Sequence, residues 1–192
     1  MDKILDEIDW KIINRLKENG RTTFEELAKL VGFSSMGVKK RFDKLLKREF
    51  IKISALVNTK KIDLQAAFVL IEIESSEAME NLLKRFKECP RVVYIFKTLG
   101  AYNLFALIVA EDQATLESIS MEKCSLRGGE GIRRSEFIPI GNILYDPFLP
   151  IRGNLTHKEK SIAPCNVDCQ TCKRYRIECA GCPAASYYLG KL

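Results

Sequence analysis

The chain has 192 residues, seven cysteines and a formal net charge of +6, and is long enough for one or two hydrophobic cores without disulfide staples. No apolar run approaches the roughly 18 residues of a membrane span, and the charged first residues exclude a secretory signal, so we expect a cytoplasmic protein with no membrane partner. In that reducing compartment, cysteines at CxxC spacing are expected to bind metal or act in redox chemistry.

The first fifty residues predict three helices in succession. Apolar residues recur at the spacing of one helical face behind Asp6, the expected N-cap, and Gly20 closes this first helix. A Thr-x-x-Glu capping box beginning at Thr23 starts a short second helix, which Gly32 ends. Ser34 then caps a third helix. The inward face of that helix comprises Val38, Phe42, Leu45 and Leu46.

The spacing of the second and third helices is typical of a helix-turn-helix. Two helices can cross steeply when a small residue lies at their contact, a glycine lies at the turn and an apolar residue anchors the second helix. Ala28, Gly32 and Val38 would have these three roles. The second helix of such a motif enters the DNA major groove. We therefore predict a double-stranded DNA interface made mainly of phosphate contacts. Its residues are Ser34, Ser35, Met36, Gly37, Lys39, Lys40, Arg41 and Lys44.

The distribution of charge also favours DNA binding by the first segment. Residues 1–64 carry 15 Lys and Arg against 10 Asp and Glu, whereas residues 65–150 carry 9 against 12. Residues 151–192 are basic again, with 7 against 3. The alternative, that the lysines are only the solvated face of an amphipathic helix, does not account for three capped helices in this order.

After an expected linker over residues 58–65, the apolar pattern changes to alternation. It predicts strands over 66–74, 92–98, 104–110 and 133–140, with helices around Met79 to Phe86 and around Leu116 to Cys124. The order βαββαβ is that of a ferredoxin-like α+β sandwich, with both helices on one face of an antiparallel sheet. The opposite face is rich in Phe and Ile, so we expect a homodimer or higher homo-oligomer formed through this domain.

Three stretches, LDEIDWKIINRL, NGRTTFEELAKLVGFSSMGVKKRFDKLLK and VVYIFKTLGAYN, carry a family resemblance. Over residues 4–145 the chain resembles the leucine-responsive/asparagine regulators (Lrp/AsnC). The resemblance implies a transcriptional regulator with an N-terminal winged helix-turn-helix, an oligomerising ferredoxin-like domain and a small-molecule effector. It places Gly100, Tyr102 and Asn103 at the effector pocket.

Two residues depart from the pattern of that family. Asn103 stands where the family usually has an aspartate that could pair with the ammonium of an amino acid, so an amino acid effector becomes less expected. Glu49 stands where a glycine commonly follows the third helix, which affects the wing.

An enzyme is the rival class, because some proteins resembling this two-domain architecture decarboxylate tetrapyrroles. Such chemistry is expected to need histidines or a basic pocket in the sheet domain. The chain's one histidine is His157, which lies outside that domain and is expected to be a surface residue. We therefore predict that the protein is not an enzyme.

The C-terminal segment has the cysteine spacing C-x3-C-x2-C-x6-C-x2-C. Two CxxC pairs can each hold a metal from a tight turn, and four thiolates suit a tetrahedral zinc ion as well as an iron–sulfur cluster. The spacing leaves zinc and iron–sulfur open, with a metal-free thiol switch as a third possibility. We predict a small metal-binding knuckle in which four of five cysteines are ligands. The candidates are Cys165, Cys169, Cys172, Cys179 and Cys182.

The predicted organisation has five parts. A helix-turn-helix domain over residues 1–57 precedes the linker at 58–65, the ferredoxin-like domain at 66–147, a second linker at 148–164 and the cysteine tail at 165–192. The tail can sense redox state or metal supply, stabilise the fold as a structural knuckle, or serve as a docking module. Cys89 and Cys124 are expected to be partly buried small apolar residues.

Overall fold

The helices and strands follow the predicted order, with two short strands added. The computed structural model describes residues 4–156 and 159–192, so the expectation for His157 lies outside the described residues. The chain divides after Ala55 into two compact units, and each is described by itself. In the described part of the chain, no helix is long and apolar enough to cross a membrane.

The N-terminal unit contains α1 (Glu7–Glu18), α2 (Phe24–Val31) and α3 (Ser35–Lys47). The three predicted N-caps are confirmed: the side chains of Asp6, Thr23 and Ser34 each accept a hydrogen bond from a backbone N–H of the first turn. Gly32 ends α2 with φ +72°, but α1 ends one residue before Asn19 rather than at Gly20. The apolar stripes meet in one core of Ile12, Ile13, Leu27, Ala28, Val31, Val38 and Leu45.

The prediction that a wing follows the helix-turn-helix is wrong for this chain. Residues 48–56 contain no strand, and β1 (Val57–Asn58) pairs with β6 (Phe148–Leu149) instead. Between residues 51 and 56 only Ile51 is partly buried. A two-stranded hairpin without a buried face is at best marginally stable in water, and this stretch offers no such face.

The second unit contains the predicted βαββαβ fold. Its elements are β2 (Gln65–Ile73), α4 (Ser76–Phe86), β3 (Val92–Lys97), β4 (Leu104–Ala110), α5 (Gln113–Met121) and β5 (Ile132–Ile140). All strand pairs are antiparallel and the sheet order is β3-β4-β2-β5, which is the ferredoxin-like order. The core lies between α4, α5 and the alternate residues of the central strands, such as Val69, Ile71 and Ala106.

The opposite face of this sheet is partly uncovered. Phe68, Tyr94, Phe96 and Ile138 are each between 41% and 51% exposed. We call these four residues the open sheet face. Tyr94 and Phe96 lie on β3, which is an edge strand of the sheet.

The cysteine tail packs in the same compact unit as the sheet. Ala163, Cys165 and Cys169 are buried in the core that also contains Phe86 and Leu116. The tail has little regular structure, namely a 3-10 turn at Cys169–Thr171 and isolated bridges at Lys160–Ala185 and Tyr175–Cys179. Side chains of the domain bond to it as well, including Arg85, whose Nε donates to the Cys165 carbonyl at 3.3 Å.

Candidate nucleic-acid interface and cysteine cavity

One face of α3 presents the lysines that the sequence predicts to contact DNA. Lys39, Lys40 and Lys44 are exposed, and within residues 4–156 and 159–192 none of them forms an ion pair. Met36, in the first turn of α3, is 63% exposed. Ammonium groups that are free of carboxylates can displace counterions from DNA phosphates, so the lysines are chemically suited to their predicted role.

The start of α3 is shaped by its cap. The backbone N–H of Gly37 donates to Ser34 Oγ at 3.2 Å. A Cβ added to Gly37 would lie 3.3 Å from the same oxygen, so a larger residue at this position would crowd the cap. Ser35 is half-buried beside it. Contact of these residues with DNA stays a prediction, but Ser34 and Gly37 have a structural role in addition.

Arg41 connects α3 to α1. Its Nη1 donates to Asp6 Oδ2 at 2.6 Å and to Asp9 Oδ1 at 2.9 Å, so its guanidinium is turned toward α1. The pKa of Asp6 is lowered by the hydrogen bond from the Asp9 backbone N–H and then by Arg41. This carboxylate therefore contributes stability at neutral pH that is lost as the pH falls through its lowered pKa. We now expect Arg41 to position α3 more than to contact phosphate.

Glu49 adopts a left-handed conformation just beyond α3, with φ +57°. The backbone N–H of Glu49 donates to the Leu46 carbonyl and that of Phe50 to the Leu45 carbonyl, both at 3.0 Å, which is the Schellman pattern of a helix C-terminus. Replacing Glu49 with glycine removes the Cβ penalty of this conformation and should stabilise the N-terminal unit by about 1 kcal/mol. Urea unfolding followed by circular dichroism measures the change. Glu49→Ala removes the same charge but keeps the Cβ, and an equal gain in that variant would contradict the explanation.

The predicted effector turn lies between β3 and β4. Thr98 N–H donates to the Asn103 carbonyl at 3.1 Å, and Thr98 Oγ1 donates to the Tyr102 carbonyl at 2.7 Å. A Cβ on Gly100 would approach nothing closer than 3.9 Å, so this turn does not require glycine for steric reasons. The turn is a well-bonded strand connection, and binding of an effector there stays a prediction.

Asn103 uses its side chain to complete the sheet. Asn103 Oδ1 accepts from the Ile73 backbone N–H at 2.8 Å, and Asn103 Nδ2 donates to the Ile73 carbonyl at 2.7 Å. Both polar groups of the amide are therefore engaged by one residue of β2. An aspartate could accept the first bond but could not donate the second, which gives a structural reason for asparagine here.

Replacing Asn103 with aspartate should lower the free energy of unfolding by about 1–3 kcal/mol, because the Ile73 carbonyl would lose its donor and face a carboxylate oxygen. The urea midpoint of the second unit measures the loss. Asn81→Asp, at an exposed position of α4, makes the same chemical change and should stay within about 0.5 kcal/mol of the wild type. Equal effects of the two substitutions would show that the Asn103 amide has no special role.

Tyr102 belongs to a polar cluster beside the turn. Its hydroxyl donates to Glu136 Oε1, and the Arg134 guanidinium lies 4.5 Å from the centroid of its ring. Arg134 also pairs with Glu72 at 3.3 Å. The hydrogen bond from the Tyr102 hydroxyl to Glu136 raises the pKa of Tyr102. Of the predicted effector residues, Tyr102 is thus the one surrounded by charged groups.

Six of the seven cysteines line a single cavity of about 50 Å³ in the second unit. We call it the cysteine cavity. Four of its thiols come from the tail and two from the ferredoxin-like domain; they are Cys165, Cys169, Cys179, Cys182, Cys89 and Cys124. The rest of the wall is mostly apolar and includes Phe86, Val92 and Ile108. Cys172 instead lines a neighbouring cavity of about 420 Å³, together with Cys124, Cys169 and Cys179.

Burial dominates the chemistry of these thiols. It raises the pKa of Cys89, Cys165, Cys169, Cys179 and Cys182, in the last case to about 12. A hydrogen bond from the backbone N–H two residues further along the chain lowers the pKa and so partly offsets burial. This applies to Cys89, Cys165, Cys179 and Cys182. The N–H of Gly181 donates to Cys179 Sγ at 3.4 Å. Without a bound cation these thiols stay protonated at neutral pH, unlike the activated thiolates of redox switches.

The second CxxC loop has a conformation that depends on Gly181. This residue has φ +91°, and a Cβ there would lie 3.0 Å from Tyr175 Cε2. This positive φ favours glycine, which allows the loop to curl between Cys179 and Cys182. The curl directs the Gly181 carbonyl toward the domain, where it accepts from Arg91 Nη2 at 2.8 Å.

Arg91 is the centre of a buried polar network next to the cavity. Its Nη2 donates to Glu111 Oε1 at 3.0 Å, its Nη1 donates to Glu111 Oε2, and both side chains are less than 10% exposed. The Tyr188 hydroxyl also donates to Glu111 Oε1. The network therefore connects the start of β3, the end of β4 and the tail.

The sequence did not predict where Cys89 and Cys124 lie in the structure. They were expected to be small apolar residues, and both do pack against the core, but they also face the tail thiols. Cys89 follows α4 and Cys124 follows α5. The two helices run in opposite directions in this topology, so the sequence pattern placed neither these two cysteines near each other nor the tail near them.

The three-helix unit with its exposed lysines and the separate ferredoxin-like domain define a helix-turn-helix transcription factor with a regulatory domain. Residues 5–46 match the AsnC-type helix-turn-helix domain, and residues 66–138 match the Lrp/AsnC ligand binding domain. The chain belongs to the Lrp/AsnC family of DNA-binding transcriptional regulators. Neither match extends into the cysteine tail, because the second ends at residue 138.

Relatives with this architecture are named as regulators. The uncharacterized HTH-type transcriptional regulator PH1055 of Pyrococcus horikoshii is 32% identical over 124 residues, which cover 60% of this chain and 78% of PH1055. HTH-type transcriptional regulator FL11 of Pyrococcus furiosus is 29% identical over 133 residues, or 68% and 87% of the two chains. The crystal structure of PH0061 has a TM-score of 0.68 at 25% identity and covers 76% of this chain and 97% of its own. The protein is a regulator and not an enzyme, as predicted.

Proposed function

We propose that this regulator binds duplex DNA as a homodimer and that a metal ion or iron–sulfur cluster, held by four tail cysteines, controls its DNA affinity. The observation that carries the proposal is the cysteine cavity, in which tail thiols lie against the core of the ligand-binding domain. We place the protein in the cytoplasm, whose reducing conditions keep unpaired thiols available for metal.

DNA binding is assigned to the exposed, lysine-bearing face of α3. Lys39, Lys40 and Lys44 supply positive charge that no carboxylate of the described residues neutralises. Met36 and the helix N-terminus would enter the major groove, while the lysines follow the phosphates on either side. The scarcity of bidentate donors on this face means that DNA shape contributes much of the specificity.

The open sheet face is the proposed dimer interface. Its aromatic and aliphatic side chains form an exposed apolar patch, and a symmetric pair of sheets would remove both copies from water. Two copies would also bring two recognition helices to two half-sites of one operator. Higher assemblies would use additional surfaces.

The metal or cluster is assigned to the four tail cysteines that line the cysteine cavity, Cys165, Cys169, Cys179 and Cys182. Cys172 faces the neighbouring cavity and is assigned as the spare thiol. A donor set made only of sulfur suits zinc and iron–sulfur clusters rather than hard cations. The support comes from the composition of the cavity wall, since among the described residues no three His, Cys, Asp or Glu side chains already converge on one ion position.

The same loop that would hold the metal is bonded to the dimer domain. The Gly181 carbonyl, between Cys179 and Cys182, accepts from Arg91 immediately before β3. Strand β3 carries Tyr94 and Phe96 of the open sheet face. Occupancy would fix the loop, and with it the position of edge strand β3, favouring one dimer arrangement over another by population shift.

A small-molecule effector is proposed at the turn between β3 and β4. Tyr102 and its charged neighbours Arg134 and Glu136 are the groups that could recognise a polar ligand. Because the Asn103 amide is already bonded to Ile73, we expect this residue to shape the turn without binding the ligand.

The experiment compares two cysteine variants in a DNA-binding assay by fluorescence anisotropy. Cys179→Ser/Cys182→Ser removes two proposed ligands and should change the Kd for operator DNA by at least about 5-fold, the usual lower bound of an allosteric coupling. Cys172→Ser removes the tail thiol that does not line the cysteine cavity and should bind like the wild type. Unchanged affinity in the first variant would leave the tail as a structural knuckle or docking module and overturn the proposed control.

A further inference from the structure

We infer that the cysteine cavity holds a polynuclear metal–sulfur group ligated from both sides, with Cys89 and Cys124 of the ligand-binding domain as ligands beside the tail thiols. The inference rests on the proposed function, which assigns a metal ion or an iron–sulfur cluster to the tail alone. It adds the domain thiols to the ligand set and excludes a single metal ion.

The two domain thiols lie within reach of the tail. Cys89 lies between α4 and β3 and Cys124 lies just after α5, yet both line the same cavity as the tail thiols. The tail therefore closes over two cysteines that the domain already presents.

The thiols outnumber the ligands that one metal ion needs. A structural zinc ion takes about four ligands, and Cys165, Cys169, Cys179 and Cys182 already supply that number. Two further cysteines in the wall of one cavity exceed what a single tetrahedral ion can use. Groups with several metal atoms distribute their thiolates over different metals, so they can use thiols that do not meet at one point.

The cavity also has a suitable lining for such a group and room for more than one water-sized group. A volume of about 50 Å³ exceeds what one water-sized group needs, which is about 10–15 Å³ on the same measure. Besides the thiols and Arg91, the described residues of the wall are apolar side chains and glycine, with no histidine or carboxylate among them. Arg91 is already paired with Glu111, so thiolate charge in this apolar space would have to be balanced mainly by the metal atoms themselves.

The experiment measures metal and inorganic sulfide per chain in full-length protein purified without oxygen and reconstituted either with Fe²⁺ and sulfide or with Zn²⁺. The wild type should hold more than one metal atom per chain. Iron with sulfide would identify an iron–sulfur cluster, and zinc without sulfide would identify a zinc–thiolate cluster. Either supports the inference only together with loss of metal from Cys89→Ser/Cys124→Ser, because four tail thiols alone could hold an iron–sulfur cluster. Cys89→Ser/Cys124→Ser should lose half or more of the metal, and Cys172→Ser should lose none.

A mutation-independent measurement covers the case in which the double variant does not fold. X-ray absorption of the wild-type protein should show sulfur ligands and a metal–metal distance. A single metal atom per chain, the absence of metal–metal scattering, or full metal content in a folded Cys89→Ser/Cys124→Ser variant would each overturn the inference. If one zinc ion bound by the tail still controls DNA affinity, the inference fails alone. If a polynuclear group is present but its removal leaves DNA affinity unchanged, the proposed function fails instead.

Discussion

Replacing Lys39 and Lys40 with alanine is expected to weaken binding to duplex DNA by roughly 10- to 100-fold at about 0.1 M salt. Both side chains are exposed on α3 and unpaired within the described part of the chain, so each can neutralise a phosphate. For each phosphate that is no longer neutralised, the slope of log affinity against log salt should also decrease in magnitude by about 1. Fluorescence anisotropy across a salt series gives both quantities.

The matched control is Lys11→Ala/Lys17→Ala. These lysines are also exposed and lie in the same unit, but on α1, outside the recognition helix. The control removes the same charge and should lower the DNA affinity only slightly, through the weak long-range electrostatic attraction. If both double variants showed equal decreases in affinity and in salt slope, overall charge rather than α3 would account for DNA binding.

Replacing Arg91 with methionine is expected to destabilise the second unit by about 3–5 kcal/mol, because it leaves the buried carboxylate of Glu111 without its cation. Urea unfolding monitored by circular dichroism measures the loss. The double variant Arg91→Met/Glu111→Leu removes both charges and should recover much of the stability. Recovery should be incomplete, since Gly181 loses its donor and Tyr188 loses Glu111 as an acceptor.

The exposed pair of Arg134 and Glu72 is the reference for this cycle. Arg134 is about half exposed at 3.3 Å from Glu72, and Arg134→Ala should cost about 1 kcal/mol or less. A single Arg91 variant as mild as this one would show that the network contributes little to folding. The proposed link between the tail loop and β3 would then lose its physical basis.

Local signals in the sequence predicted most of the fold. Hydrogen bonds within a few residues determine the caps of α1, α2 and α3, and those caps were correct. Strand β4 occupies Leu104–Ala110, the predicted range, because both of its faces are apolar and the turn before it is well marked. The βαββαβ order followed from the alternation of these elements.

Features that depend on distant residues were not predictable in this way. Strands β1 and β6 are two residues each and pair across some ninety positions, so neither shows a period of its own. The prediction of a wing was wrong because it came from the family pattern, whereas residues 51–56 of this chain lack the buried face that a stable hairpin needs. Cys89 and Cys124 became candidates only because the tail folds onto α4 and α5.

The most direct measurement is the Kd of the wild-type regulator for operator DNA, determined without oxygen before and after a chelator removes the metal and again after reconstitution. We predict a reversible change of at least about 5-fold, with the protein's metal content and DNA affinity returning together. An identical Kd in all three states, with metal loss verified by analysis, would contradict control of DNA binding by the cysteine cavity.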